Sequence, residues 1–464
     1  MPAARLITPG RGYASADDLP NRGARAVAKS AARGPNKWLQ LAALCTVPLI
    51  MVLGNSMLIP VLPDMGRQMS LDKSVTGLAV TAFSLAAGAG IALGGYLADR
   101  YGRKVVIVPS LLIYGLGGLI SGLAGWWLAG DGFWMVMAGR VVQGIGAAGT
   151  APVAMAFVGD LFSGGQRVTA LGILEAANGL GKVISPILGA LVGAFFIWWG
   201  VFFAYAVMSL PFALLVWFFT KESQRKKAGP PREYFGAIGK VFKEKGVPLL
   251  ACFWAGTVAL FILFGVLFFL SEHLETAWGI DGVPKGYLIM WPVLAMSVTS
   301  FASGLFLQAR QHLLRAFVVA GLVVETAAMV LVALVPRDWA FFTGVITGGV
   351  GTGLQLPGLN NLITSAANTE QRAGITSLYG AVRFIGVAFG PPIYGVLMKR
   401  STALPFWFSA GVLALTLAVT VFFINPAVLV GGAGGPAGGK ALPAWKPPEK
   451  LPGGTRGDTY NPLG

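Results

Sequence analysis

The sequence predicts an all-α membrane protein with twelve transmembrane helices, arranged as two pseudo-symmetric six-helix bundles around a central cavity. Of its 464 residues, 55% are hydrophobic and only 12% are charged, whereas soluble domains carry about 25% charged residues. Apolar runs of about 20 residues, the length that crosses a bilayer, recur along the chain between short polar segments. The first and second halves of the chain also share a pattern of glycine and proline positions.

Twelve runs meet this length, at 38–62, 76–98, 104–124, 133–158, 168–194, 200–219, 248–270, 286–308, 316–335, 339–364, 373–397 and 404–424. Only FFIWWG separates the fifth run from the sixth, so we place a turn there. The runs divide the chain into a disordered N-terminal tail (1–37), a first bundle (38–220), a basic linker (221–247), a second bundle (248–424) and a disordered C-terminal tail (425–464).

The positive charge is concentrated in a few polar segments. The first 37 residues hold seven basic and two acidic residues, and Lys221–Val247 holds eight and three. Because basic residues favour the cytoplasmic side of a membrane, we predict a multi-pass protein of the cell membrane with both termini in the cytoplasm. The net charge of +16 then reflects topology, and a nucleic-acid partner is not expected.

The reactive residue types are sparse. Cys45 and Cys252 lie in apolar runs and read as core thiols, and the two histidines are too few and too far apart for a metal cluster. The sequence therefore predicts neither an enzyme nor a metal site nor a cofactor.

An internal repeat appears when the chain is shifted by 205 residues. The matched positions are mostly Gly, Pro and Arg, where backbone requirements are strictest. They pair Gly144 with Gly349, Gly146 with Gly351, Pro152 with Pro357, Arg167 with Arg372, Gly181 with Gly386 and Pro186 with Pro391. In repeated membrane bundles the substrate site lies between the halves, near mid-membrane.

The second run ends in GGYLADRYGRK. This segment resembles the G-x-L-A-D-R-x-G-R-K loop of the major facilitator superfamily at Gly95, Leu97, Asp99, Arg100, Gly102, Arg103 and Lys104. The resemblance implies a cytoplasmic latch that closes in the outward-open state. Asp99 could accept from a neighbouring helix N-terminus, and Arg103 could reach a carboxylate such as Asp160. The alternative is that these charges only set topology.

The fourth run contains GRVVQGIGAAG. Arg140, Gln143, Gly144 and Gly146 resemble the family's R-x-x-Q-G-x-G motif. A buried arginine in a membrane span is costly and usually functional. The resemblance implies that Arg140 assists proton movement by tuning an acid. The alternative is that it satisfies backbone carbonyls and braces the bundle.

The fifth run resembles the G-x-x-x-G-P-x-x-G-G signature of the family's drug:proton antiporters. It supplies Gly181, Pro186 and Gly189, with Ser185 and Ala190 in place of two glycines. The second half has its own version, GVAFGPPIYG, which includes Gly390 and Pro391. The signature implies export, and the resemblance as a whole covers residues 38–424.

Glu175 and Lys182 lie seven residues apart in this same run, so they share one helix face. An ionised side chain at mid-bilayer costs at least about 2.5–3.5 kcal/mol, so this face should border a cavity or a partner. Glu175 is our candidate proton carrier, with Lys182 tuning it or binding an anionic substrate. Two alternatives stay open: a structural ion pair, or a Glu175 that is solvated near the helix end.

Other polar side chains inside the runs could line the same cavity. Arg383 aligns with Asn178 through the repeat and should face Glu175 from the opposite half. Asn55, Gln355 and Asn360 are cavity candidates, with packing contacts as the alternative. The isolated Glu325 is expected to make a structural hydrogen bond.

These observations predict a secondary active transporter that exports small amphipathic molecules, such as drugs, in exchange for protons by alternating access. Its partners would be the small-molecule substrate, protons and the lipid bilayer, and one chain should suffice. The alternative is a dedicated exporter of a metabolite, siderophore or lipid with an anionic group, as Lys182 suggests.

Overall fold

The computed structural model describes residues 36–222, 231–367 and 369–430, and the regular structure of these residues is entirely helical. The predicted tails lie almost wholly outside this range. Twelve long helices coincide with the twelve predicted runs, which confirms the predicted fold class. They are α1 (Lys37–Ser56), α2 (Leu78–Tyr101), α3 (Arg103–Trp127), α4 (Phe133–Ala148, continued by Ala151–Leu161), α5 (Gly164–Phe196), α6 (Gly200–Phe219), α7 (Pro231–Thr276), α8 (Gly282–Gln308), α9 (Leu314–Leu334), α10 (Asp338–Ser365), α11 (Thr369–Met398) and α12 (Leu404–Phe423).

Within the described residues, eleven helical segments are long and apolar enough to cross a membrane. They correspond to every long helix except α10. That helix is long enough at 28 residues, but it is rich in glycine and carries Gln355, Asn360 and Asn361. Of these, Gln355 is buried and donates to Glu325 of α9, whereas Asn360 and Asn361 are exposed.

The linker predicted at 221–247 is partly helical. From Pro231 onward it runs into α7 and is interrupted only at Gly246, where φ is 45° and ψ is −128°. The ring of Phe242 packs against Phe253 at 5.5 Å, and Lys245 Nζ donates to the carbonyl of Val428 at 2.6 Å. The segment is thereby held against the second bundle.

The internal repeat is visible in the packing. A Cβ on Gly144 of α4 would lie 2.3 Å from the carbonyl oxygen of Phe83 in α2, and one on Gly349 of α10 would lie 2.2 Å from that of Pro292 in α8. Only glycine allows such close backbone contact. The same helix pair thus packs through the same glycine in α1–α6, the N-half, and in α7–α12, the C-half.

The glycines of the antiporter-like signatures also mark close contacts. A Cβ on Gly181 would meet Leu49 of α1 at 3.2 Å. One on Gly189 would lie 1.9 Å from the carbonyl oxygen of Met57, and one on Gly390 would lie 2.6 Å from that of Phe261 in α7. The first signature therefore fixes α5 against α1 and the loop that follows α1. The second fixes α11 against α7.

The two halves meet along two helix pairs, α2 with α11 and α5 with α8. Thr81 Oγ1 donates to the carbonyl of Ala388 at 2.5 Å, and a Cβ on Gly286 would lie 2.8 Å from the carbonyl oxygen of Pro186. Pro391 packs against Gly77 in the same way. These contacts converge on the end of the molecule formed by residues 57–77, 271–285 and 399–403, which we call the sealed end.

Candidate functional site

The candidate site is centred on the middle of α5. Asn178 Nδ2 donates to Glu175 Oε1 at 3.1 Å, and Glu175 is exposed while Lys182 is half-buried. Lys182 lies within electrostatic range of both Glu175 and Arg383 of the opposite half. Both other charges that the sequence singled out therefore act on Lys182.

The charged face of α5 borders space between the halves. A Cβ on Gly172 or Gly179, which lie close to this face, would meet nothing within 4 Å. Ile173 and Leu180, exposed at 43% and 56%, lie on the opposite face of the helix, because two residues correspond to about 200° of rotation. An apolar face turned outward and a charged face turned inward is the arrangement that a bilayer requires.

The same face is closed toward the sealed end. Pro186 and Gly189 continue the line of Glu175 and Lys182 along α5, and they pack against Gly286 of α8 and Met57. The space beside Glu175 therefore narrows to direct helix contact within about two turns. This geometry describes a vestibule that is closed at one end of the molecule.

Arg383 approaches this space from α11. Its guanidinium lies 5.2 Å from the ring centre of Tyr379, and its buried Nε makes no hydrogen bond to the part of the chain that the structure describes. A Cβ on Gly380, one turn away, would meet nothing within 4 Å. Arg383 thus keeps donor capacity for a further partner.

Arg140 lies inside the N-half and is fully buried. Its guanidinium donates to the carbonyls of Ala79 and Gly54, each at 2.8 Å, and to the side chains of Gln143 at 2.6 Å and Asn55 at 2.7 Å. All four acceptors are neutral, and they tie α4 to α1 and α2. This geometry favours the bracing alternative over the tuning of an acid.

Asn55 and Gln355 both lie within a half. Asn55 accepts from Arg140 and donates to Ser84 Oγ at 2.8 Å. Gln355 donates to Glu325, which also accepts from Thr352 Oγ1 at 3.1 Å. The exposed fractions of Asn55, Gln355 and Glu325 are 4%, 0% and 1%, so packing contacts describe them better than a cavity lining does.

The latch-like loop is organised around Arg103. Its guanidinium pairs with Asp99 at 2.5 Å and with Asp160 at 3.4 Å. Arg100 donates to the hydroxyl of Tyr96 at 2.8 Å, and Lys104 Nζ donates to the carbonyl of Thr220 at 2.9 Å. These partners all belong to the N-half.

A residue that the sequence analysis missed caps this loop. The carboxylate of Glu222 accepts from the backbone N–H groups of Arg103 and Lys104, at 2.9 and 2.8 Å. Asp99 was the residue expected at a helix N-terminus, but the acid at the start of α3 is Glu222. The available signal was the position of Glu222 directly after the sixth run, because an acid there can lie beside a helix N-terminus, where a negative charge is favourable.

Replacing Gly102 with alanine is expected to destabilise the loop by about 1–3 kcal/mol. Gly102 has a φ of 122°, and a Cβ there would lie 2.8 Å from Glu222 Oε2. The nearest atom to a Cβ on Gly95, the control, is 3.5 Å away. The midpoint temperature of thermal unfolding in detergent should therefore fall for Gly102→Ala and stay near the parent value for Gly95→Ala. Equal midpoints for the two variants would contradict this account.

The fold and the site together define a polytopic helical membrane protein whose two repeated halves enclose a charged vestibule between them. The sequence matches the Major Facilitator Superfamily over residues 44–310 and again over 256–452. The chain belongs to this superfamily, whose members are transporters, and it is therefore a multi-pass membrane transporter of a small molecule.

Proteins of known name support the assignment. The bacillibactin exporter of Bacillus subtilis is 39% identical over 388 residues, which cover 83% of this chain and 96% of that protein. Multidrug resistance protein 1 of the same organism is 27% identical over 403 residues, covering 85% of this chain and 98% of that protein. The two matches, to relatives named as an exporter and a resistance protein, thus extend over nearly the whole length of each relative.

A solved structure shares the fold at low sequence identity. The D-xylose-proton symporter superposes with a TM-score of 0.67 at 13% identity, over 83% of this chain and 98% of that one. At this identity the likeness concerns the fold alone.

Proposed function

We propose that this protein exports a small molecule in exchange for protons, and that the substrate carries an anionic or strongly accepting oxygen. The observation that carries the proposal is the vestibule in which Lys182 lies within electrostatic range of Glu175 and of Arg383 from the opposite half. Two cations at the centre of a carrier favour an oxygen-rich substrate over a cationic drug. The 39% identical relative named as a bacillibactin exporter supports the same substrate class.

Exchange sets a further requirement on the substrate. Proton and substrate must exclude each other at one group, or both would cross together. An anion held only by Lys182 and Arg383 would not compete with a proton on Glu175. The proposed substrate therefore also presents a hydrogen-bond donor, such as a hydroxyl group, to the Glu175 carboxylate. A proton that binds Glu175 displaces this donor.

The proposed topology assigns each end of the molecule to one side of the membrane. With both termini in the cytoplasm of the cell, the sealed end faces outward, and the vestibule beside Glu175 belongs to an inward-facing state. Each chain holds both halves and both sides of the vestibule. We therefore propose that a monomer in the cell membrane completes the cycle.

Vesicles reconstituted with the purified protein test the substrate class. With an acidic interior, they are expected to accumulate bacillibactin, and a protonophore should abolish the uptake. Lys182→Gln or Arg383→Gln should each reduce the rate about tenfold or more, because a charge-assisted hydrogen bond contributes about 1.5–3 kcal/mol. Protein-free vesicles and the surface variant Lys240→Gln serve as controls.

The second candidate function is export of cationic drugs, which the relatives named multidrug resistance proteins favour. Glu175 would then bind the cation directly. In that case ethidium would accumulate in the same vesicles, and Lys182→Gln would leave its rate unchanged or raise it. Ethidium uptake without bacillibactin uptake would overturn the anionic substrate class.

A further inference from the structure

Tyr379 of α11 supports the guanidinium of Arg383. The guanidinium lies 5.2 Å from the centre of the Tyr379 ring, which is within the range of a cation–π contact. Arg383 follows Tyr379 by four residues, and long side chains in a helix lean toward the preceding turn, so the guanidinium rests on the ring. Tyr379 is only 2% exposed, and a cation–π contact is strongest where water is excluded.

Helix α7 holds the Tyr379 ring in place. A Cβ on Gly256 would lie 2.2 Å from the hydroxyl oxygen of Tyr379 and 2.5 Å from its ring carbon Cε2, so only glycine leaves room for the ring there. Phe253 packs against the same ring, with the two ring centres 5.4 Å apart. The ring therefore has little freedom to move and forms a fixed support for Arg383.

Arg383 lies on the vestibule side of α11. Ile385 and Phe389, each 43% exposed, mark the opposite side of the helix, because two and six residues correspond to about 200° and 240° of rotation. The open surface beside Gly380 lies only about 60° from Arg383, and Tyr379 lies about 40° from it. The contact with Tyr379 thus keeps the positive charge at the border of the vestibule.

The hydroxyl group does not explain why residue 379 is a tyrosine. It is buried and makes no hydrogen bond within the part of the chain that the structure describes. The hydroxyl of Tyr394, the other tyrosine of α11, bonds to Ser409 of α12. The Tyr394 ring also covers a glycine of α7, since a Cβ on Gly265 would lie 2.3 Å from a ring carbon. The two tyrosines are thus packed alike, but the ring of Tyr379 is the one that contacts Arg383.

The internal repeat associates the ring with the arginine. Through the shift of 205 residues, Tyr379 aligns with Leu174 and Arg383 aligns with Asn178. Leu174 is 1% exposed, so an apolar side chain fills this position in the half that has no arginine beside it. Packing alone therefore needs no aromatic residue here. What the ring adds is a face that attracts a cation.

We infer that Tyr379 is a positioning residue, which holds the Arg383 guanidinium at the vestibule when no substrate is bound. Lys182 and Arg383 are like charges within electrostatic range of each other, so they repel while no anion is bound to them. A carboxylate partner would hold Arg383 but would also neutralise it, whereas the ring holds the cation and leaves its charge for the substrate. The role in substrate binding rests on the proposed function, and the contact itself does not.

Bacillibactin uptake by the acid-loaded vesicles tests the role in binding. Tyr379→Leu, which introduces the residue of the equivalent position, is expected to raise KM about tenfold, the size of a desolvated cation–π contact. The maximal rate should stay within about twofold of the parent. Tyr379→Phe keeps the ring, so both constants should stay within about twofold of the parent. If Tyr379→Leu is poorly recovered, Tyr379→Met also removes the ring.

Tyr394→Leu is the matched control for the transport measurement. It also removes a buried tyrosine that covers a glycine of α7, together with the hydrogen bond to Ser409. The protein should lose stability, but KM should not change, because no described cation rests on this ring. A purely structural effect of losing a ring from α11 would instead raise KM in both variants.

A measurement without substrate tests the contact itself. The midpoint temperature of thermal unfolding in detergent is compared for Tyr379→Leu in the parent and in Arg383→Gln. If the ring holds the guanidinium, the leucine should lower the midpoint about 1–2 °C more in the parent than in Arg383→Gln. A parent protein that takes up no bacillibactin would overturn the proposed substrate class, and the contact would still be decided by this comparison.

Any one of four results would overturn the inference. Equal lowering of the midpoint in the two backgrounds would show that Tyr379 only packs. An unchanged KM in Tyr379→Leu would show that Arg383 needs no support. A KM for Tyr379→Phe as high as that for Tyr379→Leu would assign the effect to the hydroxyl. An equal rise in Tyr394→Leu would show that the effect is not specific to the ring beside Arg383.

Discussion

Replacing Glu175 with glutamine is expected to abolish proton-driven efflux while the protein still reaches the membrane in normal amounts. Glutamine has nearly the same size and can still accept from Asn178, but it cannot bind and release a proton. Because exchange needs one group that holds either a proton or the substrate, the loss should exceed about a hundredfold in the rate that a pH gradient drives. The measurement is substrate accumulation in acid-loaded vesicles, with the parent protein beside the variant.

Substrate movement down its own gradient should survive in the Glu175→Gln variant. Glutamine imitates the protonated acid, so the halves can still exchange positions around Lys182 and Arg383. Loss of downhill movement as well would point to a structural ion pair, one of the alternatives that the sequence left open. Unaltered gradient-driven efflux would remove Glu175 as the proton carrier.

Glu325→Gln is the matched control, because it makes the same change at an acid in the middle of another long helix, α9. Glu325 is fixed between α9 and α10 by Thr352 and Gln355. The amide oxygen of Gln355 is buried and has no partner in the described residues, so rotation of that amide would give a new glutamine both a donor and an acceptor. Gradient-driven efflux is therefore expected to remain in Glu325→Gln.

The fold was predictable because the bilayer restricts the choices. In the hydrocarbon core no water is available to the backbone, so a helical chain must make its backbone hydrogen bonds within each helix. The length and spacing of the apolar runs therefore located all twelve helices. The repeat was visible because positions such as Gly144 and Gly349 contact backbone directly and tolerate no other residue. Side-chain size and charge at most other positions are free to differ between the halves.

The site was only partly predictable because side-chain partners depend on tertiary contacts. The seven-residue spacing of Glu175 and Lys182 placed them on one face, and the repeat placed Arg383 near them. The spacing could not show that Asn55 and Gln355 lie inside the halves. Nor could it show that the acidic end of α7 meets basic residues about 200 positions earlier in the chain.

Replacing Arg140 with leucine is expected to have the largest effect on stability. The guanidinium is fully buried and donates to four acceptors on three helices. Leucine would leave the carbonyls of Gly54 and Ala79 and the amides of Asn55 and Gln143 without that donor inside the bundle. Each buried acceptor left without a partner costs about 1–3 kcal/mol, so little folded protein should be recovered.

The comparison of Arg140→Lys with Arg140→Leu separates bracing from a role in proton movement. Lysine keeps the charge, but its single ammonium cannot reach four acceptors that are arranged around a planar fork. If Arg140 is a brace, the lysine variant should also unfold at a clearly lower temperature in detergent, and the folded fraction should transport with an unchanged dependence on pH. If Arg140 tunes an acid through its charge, the lysine variant should fold normally and shift the pH dependence of transport instead. The neutral acceptors around Arg140 favour the first result, because a tuning cation would be expected to lie beside a carboxylate.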